Sequence, residues 1–322
     1  MGVLVEGSWQ ERDASWTDRE GRMRGPPPRF RNWITPDGEP GPTGEGGFPA
    51  EPGRYRLMVS LACPWSHRAT LMRRLKGLEE LVGLSVTHWL MGENGWTFDE
   101  GPGVVPDPDS GARYVWQVYA CSDPTYSGPA TVPVLWDSRN HRIVNNASAD
   151  IMRMLNDAFD GVGANDRDYY PAPLRDDINA FNTRIHDKLN EGVYQAGFAS
   201  SQAAYDEAVA EVFDSLDWLE KLLGKRRYLC HDTLTEADWR LFPTLVRFDA
   251  VYHGHFKCNV RRLVDHPRLW DYARRLYQHP GVRETVDFEH IKRHYYQSHP
   301  RIDPTGIVPA GPAVDWEAPA HG

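Results

Sequence analysis

The run Tyr55-Arg56-Leu57-Met58-Val59-Ser60-Leu61-Ala62-Cys63-Pro64-Trp65-Ser66-His67 decides how this chain is read. Residues 55–62 form a hydrophobic strand pattern, and Pro64 suits the first position of a helix, where it has no N–H to leave unpaired and its φ is already helical. Cys63 therefore falls at the N-cap. There the first-turn N–H groups and the positive end of the helix dipole favour thiolate over thiol. A cysteine at a strand end can simply be a small buried hydrophobe; the strand, cysteine, proline, helix setting turns the expectation toward a reactive nucleophile. Ser66 stands where a C-x-x-C pair would carry its second cysteine, so the sulfur has to exchange with an external thiol. Trp65, Ala69, Leu71, Met72 and Leu75 give the helix an apolar side, Arg68, Arg73, Arg74 and Lys76 make it cationic, and Gly77 ends it. His67 and Arg68 either raise the potential at the sulfur or form a solvated helix face.

Downstream, Leu84-Ser85-Val86-Thr87-His88-Trp89-Leu90-Met91 reads as a second strand, which closes a βαβ unit. An insertion from Gly92 to Gly128 follows, with Gly95-Trp96-Thr97-Phe98 in a loop and Ala112 to Cys121 helical; so long an excursion from a compact domain usually carries function. Val132-Pro133-Val134-Leu135-Trp136-Asp137 and Arg142-Ile143-Val144-Asn145 then pair across a turn at residues 138–141, and a helix starts at Ser148. The order βαβ, insertion, ββα is the thioredoxin arrangement. A proline that merely opens an edge strand is ordinarily trans, whereas in this context a cis peptide at Val132-Pro133 would leave the Val132 backbone open to a peptide-like thiol.

From about residue 172 the pattern is helical: Leu174 to Glu191, Ser201 to Leu223, Glu236 to Val251, Leu269 to Gln278 and Val286 to His299. Leu234-Thr235-Glu236-Ala237-Asp238-Trp239 is a helix start with Thr235 as cap, Asp238 as the reciprocal acid and Leu234 against Trp239 as a staple. The expected organisation is an N-terminal extension over 1–53, too rich in turn formers for regular elements, an α/β thioredoxin-like domain over 54–165, and an all-α domain over 172–322 with a Pro- and Gly-rich tail that packs in part and frays at its end.

With 322 residues, 40% hydrophobic and 25% charged, the composition is that of an ordinary globular chain long enough for two cores. The net charge of −9 and the lack of a clustered basic, aromatic-interleaved stretch argue against a nucleic-acid partner. No apolar run is long enough for a membrane span, no signal peptide is visible, and Glu6 spoils the myristoylation hint of Met1-Gly2. Cysteines at 63, 121, 230 and 258 lack framework spacing, which points to a reducing compartment, the cytoplasm by default. His253, His255 and Cys258 form H-x-H-x-x-C, but no C-x-x-C half-site accompanies them, so no metal is expected.

Several stretches resemble the glutathionyl-hydroquinone reductases, the Xi class of the glutathione transferase superfamily. They are Cys63-Pro64-Trp65-Ser66-His67-Arg68, His88 through Phe98, Thr131 through Asp137, Ala237 through Phe242, Gly254 through Asn259, and His294 through Pro309. The resemblance spans most of residues 30–312. It implies the glutathione transferase fold and an enzyme that moves a glutathionyl sulfur from a hydroquinone conjugate onto its own cysteine, then returns to rest with a second thiol. Cys63 matches that nucleophile, Trp96 the tryptophan that packs along glutathione, Val132 with Pro133 the strand that pairs with the cysteinyl unit, and Ser148 the serine at the γ-glutamyl carboxylate. Tyr194, Tyr295 and Tyr296 match tyrosines gathered over the aromatic substrate, where phenolic donors would steady the oxygen of its keto tautomer; taken singly, each could equally be an interface aromatic. A homodimer is also implied.

Two positions depart from the family pattern. Asn145-Asn146-Ala147-Ser148 has alanine where a glutamate is usual, and Pro129 stands where an arginine is usual. Losing a buried charged hydrogen bond costs about 2 to 5 kcal/mol, so a different low-molecular-weight thiol, mycothiol for example, is an alternative to glutathione. Two further alternatives are a general glutaredoxin-like or dehalogenating thiol transferase and a non-catalytic transferase-like module; an intact Cys63 argues against the module.

Overall fold

The computed structural model describes residues 2–11, 17–23 and 25–320. Met1 and residues 321–322, the extreme ends of the expected extension and tail, lie outside the described residues. The chain divides into two compact units, and the division is not collinear with the sequence. One unit holds the described residues of Met1–Ala14 together with Pro26–Arg167 and Thr285–His294, and the other those of Ser15–Gly25, Asp168–Glu284 and Tyr295–Gly322. Contiguous segments were expected; instead a short piece of the late chain joins the first unit.

The first unit is built on a four-stranded sheet in the order β4-β3-β5-β6, with β3 Tyr55–Val59, β4 Val82–Val86, β5 Val134–Asp137 and β6 Arg142–Asn145. β3 runs parallel to β4, with Tyr55 opposite Val82, and antiparallel to β5, with Met58 opposite Val134. Leu57, Met58 and Val59 are fully buried, as are all four residues of β5, because both strands lie inside the sheet. The strand expected over 84–91 sits earlier. It cannot continue past Val86 because its partner β3 ends at Val59, where the chain turns toward the cysteine; Thr87 still donates to the Val59 carbonyl at 2.8 Å, and His88 already bonds to Thr97. Gly83 hid the true start. Its missing side chain makes room for Arg56, whose guanidinium carbon would lie 2.9 Å from a Cβ there and whose Nη1 donates to the Leu84 carbonyl.

Helix α1, Pro64–Leu75, packs Ala69, Leu71 and Met72 inward. It ends as its sequence dictates: Gly77 takes φ +68°, its N–H reaches the Arg74 carbonyl and that of Leu78 reaches Arg73, the paired bonds of a left-handed helix stop. In the insertion, α2 spans Val115–Ser122, starting later than expected because the Gln117 side-chain oxygen holds the N–H groups of Arg113 and Tyr114. α3 is Ser148–Asp157.

The extension is more ordered than its turn formers suggest. β1, Val3–Val5, and β2, Ser8–Gln10, form a hairpin turned at Glu6 and Gly7, and Leu4 exchanges backbone bonds with Gly128. Farther along, Asn32 donates to Val144 and Asn146 to Phe30, so residues 30–32 cover the outer edge of β6, an edge that would otherwise expose unpaired N–H and C=O groups.

The second unit carries α4 Arg175–Ile185, α5 Gly192–Phe198, α6 Gln202–Leu223, α7 Glu236–Arg247, α8 Pro267–Tyr277 and the end of α9 Phe288–Ser298. A single helix was expected over 174–191; the structure gives α4 running into a π-helical turn at His186–Asn190, and then α5, a seven-residue helix with two glycines whose sequence shows no helical period. α7 likewise passes into a π-helical turn, Phe248–Tyr252. The Thr235/Asp238 capping box is present: Asp238 accepts from the Thr235 N–H at 2.8 Å, the Leu229 N–H at 3.0 Å and the Tyr272 hydroxyl at 2.8 Å. Among the described residues no helix is long and apolar enough to cross a membrane.

Candidate active site

Cys63 occupies the N-cap of α1 in an extended conformation, with Pro64 directly after it and the Cys63 carbonyl accepting the His67 N–H. The positive end of α1 is thereby brought to the sulfur. Sγ donates to the Val132 carbonyl at 3.6 Å, and the Val132-Pro133 peptide is cis. The thiol is 9% exposed. Ser66, in the second-cysteine position, is buried and accepts the Ser60 N–H. His67 and Arg68 do not form a solvated face. Both are buried; Arg68 stacks over the Trp65 ring at 4.5 Å, and His67 Nε2 meets the Thr285 hydroxyl at 2.8 Å.

Cys63, Trp96 and Val132 belong to one buried cluster, with Phe98, Val115 and Val134 beneath and Trp65 and Phe30 packed at its margin. The Trp96 indole lies against the ring of His294, centroids 4.7 Å apart and planes 26° apart, while its carbonyl anchors α2 through the Val115 N–H. Ser148 is the first residue of α3, half-buried, with Ala147 as cap. The two asparagines before it are engaged inside the protein. Asn145 accepts the Ala147 N–H and donates to Asp150, which also pairs with Arg31, and Asn146 donates to the Tyr119 hydroxyl and accepts the Phe30 N–H. Burial raises the Tyr119 phenol above its usual range.

The tyrosines singled out from the sequence lie in the second unit. Tyr194 and Tyr295 share a short hydroxyl–hydroxyl bond, and Tyr252, which sequence reasoning missed, bonds to the same Tyr295 hydroxyl at 3.1 Å. Nothing local marks Tyr252; it is brought in by the π-helical turn after α7. Burial drives the Tyr295 phenol well above its ordinary value. Tyr296 is half-buried, its ring edge-on to His255 at 4.8 Å, and Tyr295 packs on the same histidine ring at 6.2 Å. His255 Nε2 and His299 Nδ1 lie 3.1 Å apart, and Phe198 and Phe256 pack against them. Cys258 turns to the Phe256 carbonyl, and burial pushes its thiol up to about 12. Among the described residues, no three His, Cys, Asp or Glu side chains are grouped to hold a metal ion.

Sequence profiles of the glutathione S-transferase N-terminal domain and C-terminal domain match residues 62–158 and 202–275. The glutathionyl-hydroquinone reductase YqjG of Escherichia coli K12 is 53% identical over 326 residues, covering 100% of this chain and 98% of its own. The glutathionyl-hydroquinone reductase PcpF of Sphingobium chlorophenolicum is 52% identical, with 97% of each chain covered. Among solved structures, the glutathione-bound form of YqjG superposes with a TM-score of 0.92 at 52% identity, over 99% of this chain and 98% of that one.

Proposed function

Because this chain belongs to the glutathione S-transferase family, within its glutathionyl-hydroquinone reductase (Xi-class) branch, we infer that it is a thiol-dependent reductase that removes glutathione from S-conjugated hydroquinones. The observation that carries the mechanism is the Cys63 sulfur at the start of α1, 3.6 Å from the Val132 carbonyl that precedes cis-Pro133. Cys63 thiolate attacks the thioether sulfur of the conjugate in its keto form. The S–S bond forms as the C–S bond breaks, and the electron pair of that bond passes to the ring, which takes a proton and leaves as hydroquinone. A glutathione thiolate then attacks the mixed disulfide, giving glutathione disulfide and restoring Cys63. One thiol and the thioether sulfur of the conjugate end as one disulfide, while the ring carbon exchanges its C–S bond for C–H and is reduced.

Trp96, the Val132 backbone and Ser148 are the groups assigned to the thiol tripeptide, and the phenols of Tyr194, Tyr295 and Tyr296 the donors assigned to the ring oxygen. The expected homodimer and the cytoplasmic location remain part of the same proposal. Intact-mass measurement after exposure to a glutathionyl-hydroquinone should show one glutathionyl adduct on Cys63, absent in Cys63→Ser, with hydroquinone and glutathione disulfide as turnover products. Turnover that survives Cys63→Ser would refute the mechanism.

Ala147 and Pro129 support a second reading of the cosubstrate. Asn145 and Asn146 are already engaged and Ala147 offers no carboxylate, so a thiol without a γ-glutamyl head, such as mycothiol, suits the start of α3. Competition of mycothiol against glutathione in the second step decides between them; clear saturation by micromolar glutathione ends the alternative.

A further inference from the structure

Helix α9 begins within the first unit, and its residues His290, Arg293 and His294, spaced i, i+3, i+4, share one face. That face holds the loop that carries Trp96. His290 Nε2 meets the Pro102 carbonyl at 2.7 Å, His294 Nδ1 meets the Trp89 carbonyl at 2.9 Å, and the Arg293 guanidinium lies 5.0 Å above the Trp89 ring. A carbonyl can only accept, so His294 carries its proton on Nδ1 and donates. Both ends of the segment 89–102 are thus pinned to the helix, while residues 92–94 at its tip are exposed. Between the pinned ends, Trp96 stacks on His294.

We propose that His294 is a positioning residue for the thiol cosubstrate. Its ring holds one face of the Trp96 indole, and its bond to Trp89 fixes the ring. The indole is then set before glutathione arrives, and no conformational freedom of the loop has to be lost on binding. The proposal rests on the assignment of Trp96 to the thiol site.

The test separates the two parts of the contact. His294→Phe keeps a ring and loses the donor; His294→Asn keeps an amide donor for the Trp89 carbonyl and loses the ring. Each should raise the KM for glutathione roughly 2- to 12-fold, the range of one hydrogen bond's worth for His294→Phe and of an aromatic pair's for His294→Asn, with the change in KM rather than in kcat. In a double-mutant cycle, His294→Asn should add nothing further in a Trp96→Ala background. A merely structural histidine would give additive losses. The cycle is read in turnover and, separately, in the rate at which glutathione disulfide modifies Cys63. Additivity in both, or an unchanged KM, overturns the positioning role. Absent turnover by the unmodified protein with a coupled cycle in Cys63 modification sinks the hydroquinone reading and upholds His294.

Discussion

Acidification should weaken this protein through His255. The ring is buried beside His299, Tyr295 and Tyr296, and loss of hydration lowers its pKa from 6.5 to about 4; the charge of Lys257 pushes the same way and the half-buried Asp303 carboxylate partly opposes it. Because the folded pKa lies below the unfolded one, the stability that His255 contributes is fully present above pH 6.5 and is lost as pH falls toward 4. Between pH 7 and 5 the unfolded chain takes up most of a proton that the folded chain refuses, which costs about 1–2 kcal/mol, the lower figure allowing for solvent screening at the ring edge. The measurement is urea denaturation of the intact protein and of His255→Gln at both pH values. The wild-type midpoint should fall by more than that of the variant, the excess corresponding to that figure. Parallel losses in the two proteins would refute the reasoning.

Other outcomes follow from packing and from sulfur chemistry. Asp238→Ala removes the acceptor of two buried N–H groups and the Tyr272 hydroxyl; at about 1–3 kcal/mol for each orphaned group, thermal denaturation should report a loss of about 3 kcal/mol or more, and Asp238→Asn a smaller one. Alkylation of the native protein at pH 8, mapped by peptide mass, should reach Cys63 and the exposed Cys121 and spare Cys230 and Cys258, whose thiols burial pushes up, that of Cys258 to about 12. Labelling of Cys258 before denaturation would contradict its burial.

What the sequence determined by itself was whatever depends on neighbours a few residues away. Pro64 after Cys63 places the sulfur at a helix start, Gly77 stops that helix, Thr235 and Asp238 start another, and the ββ pair with its turn follows from alternation and turn residues. The same local logic marked Cys63 and Val132, and the family resemblance marked Trp96; the fold gathers the three into one cluster. It misplaced β4, because Gly83 reads as a break until Arg56 is seen lying across it, and it missed β1 and β2, which close partly on Gly128 more than a hundred residues away.

Only the tertiary structure decided which side chains are taken up by internal partners and which pairs meet. Asn145 and Asn146 bond inward, Tyr252 joins Tyr194 and Tyr295 through a π-helical turn, and His294 reaches Trp89 across 205 positions. Such contacts leave no periodic trace, since each depends on the direction of two distant elements and on the water removed between them, and neither is written in the residues on either side.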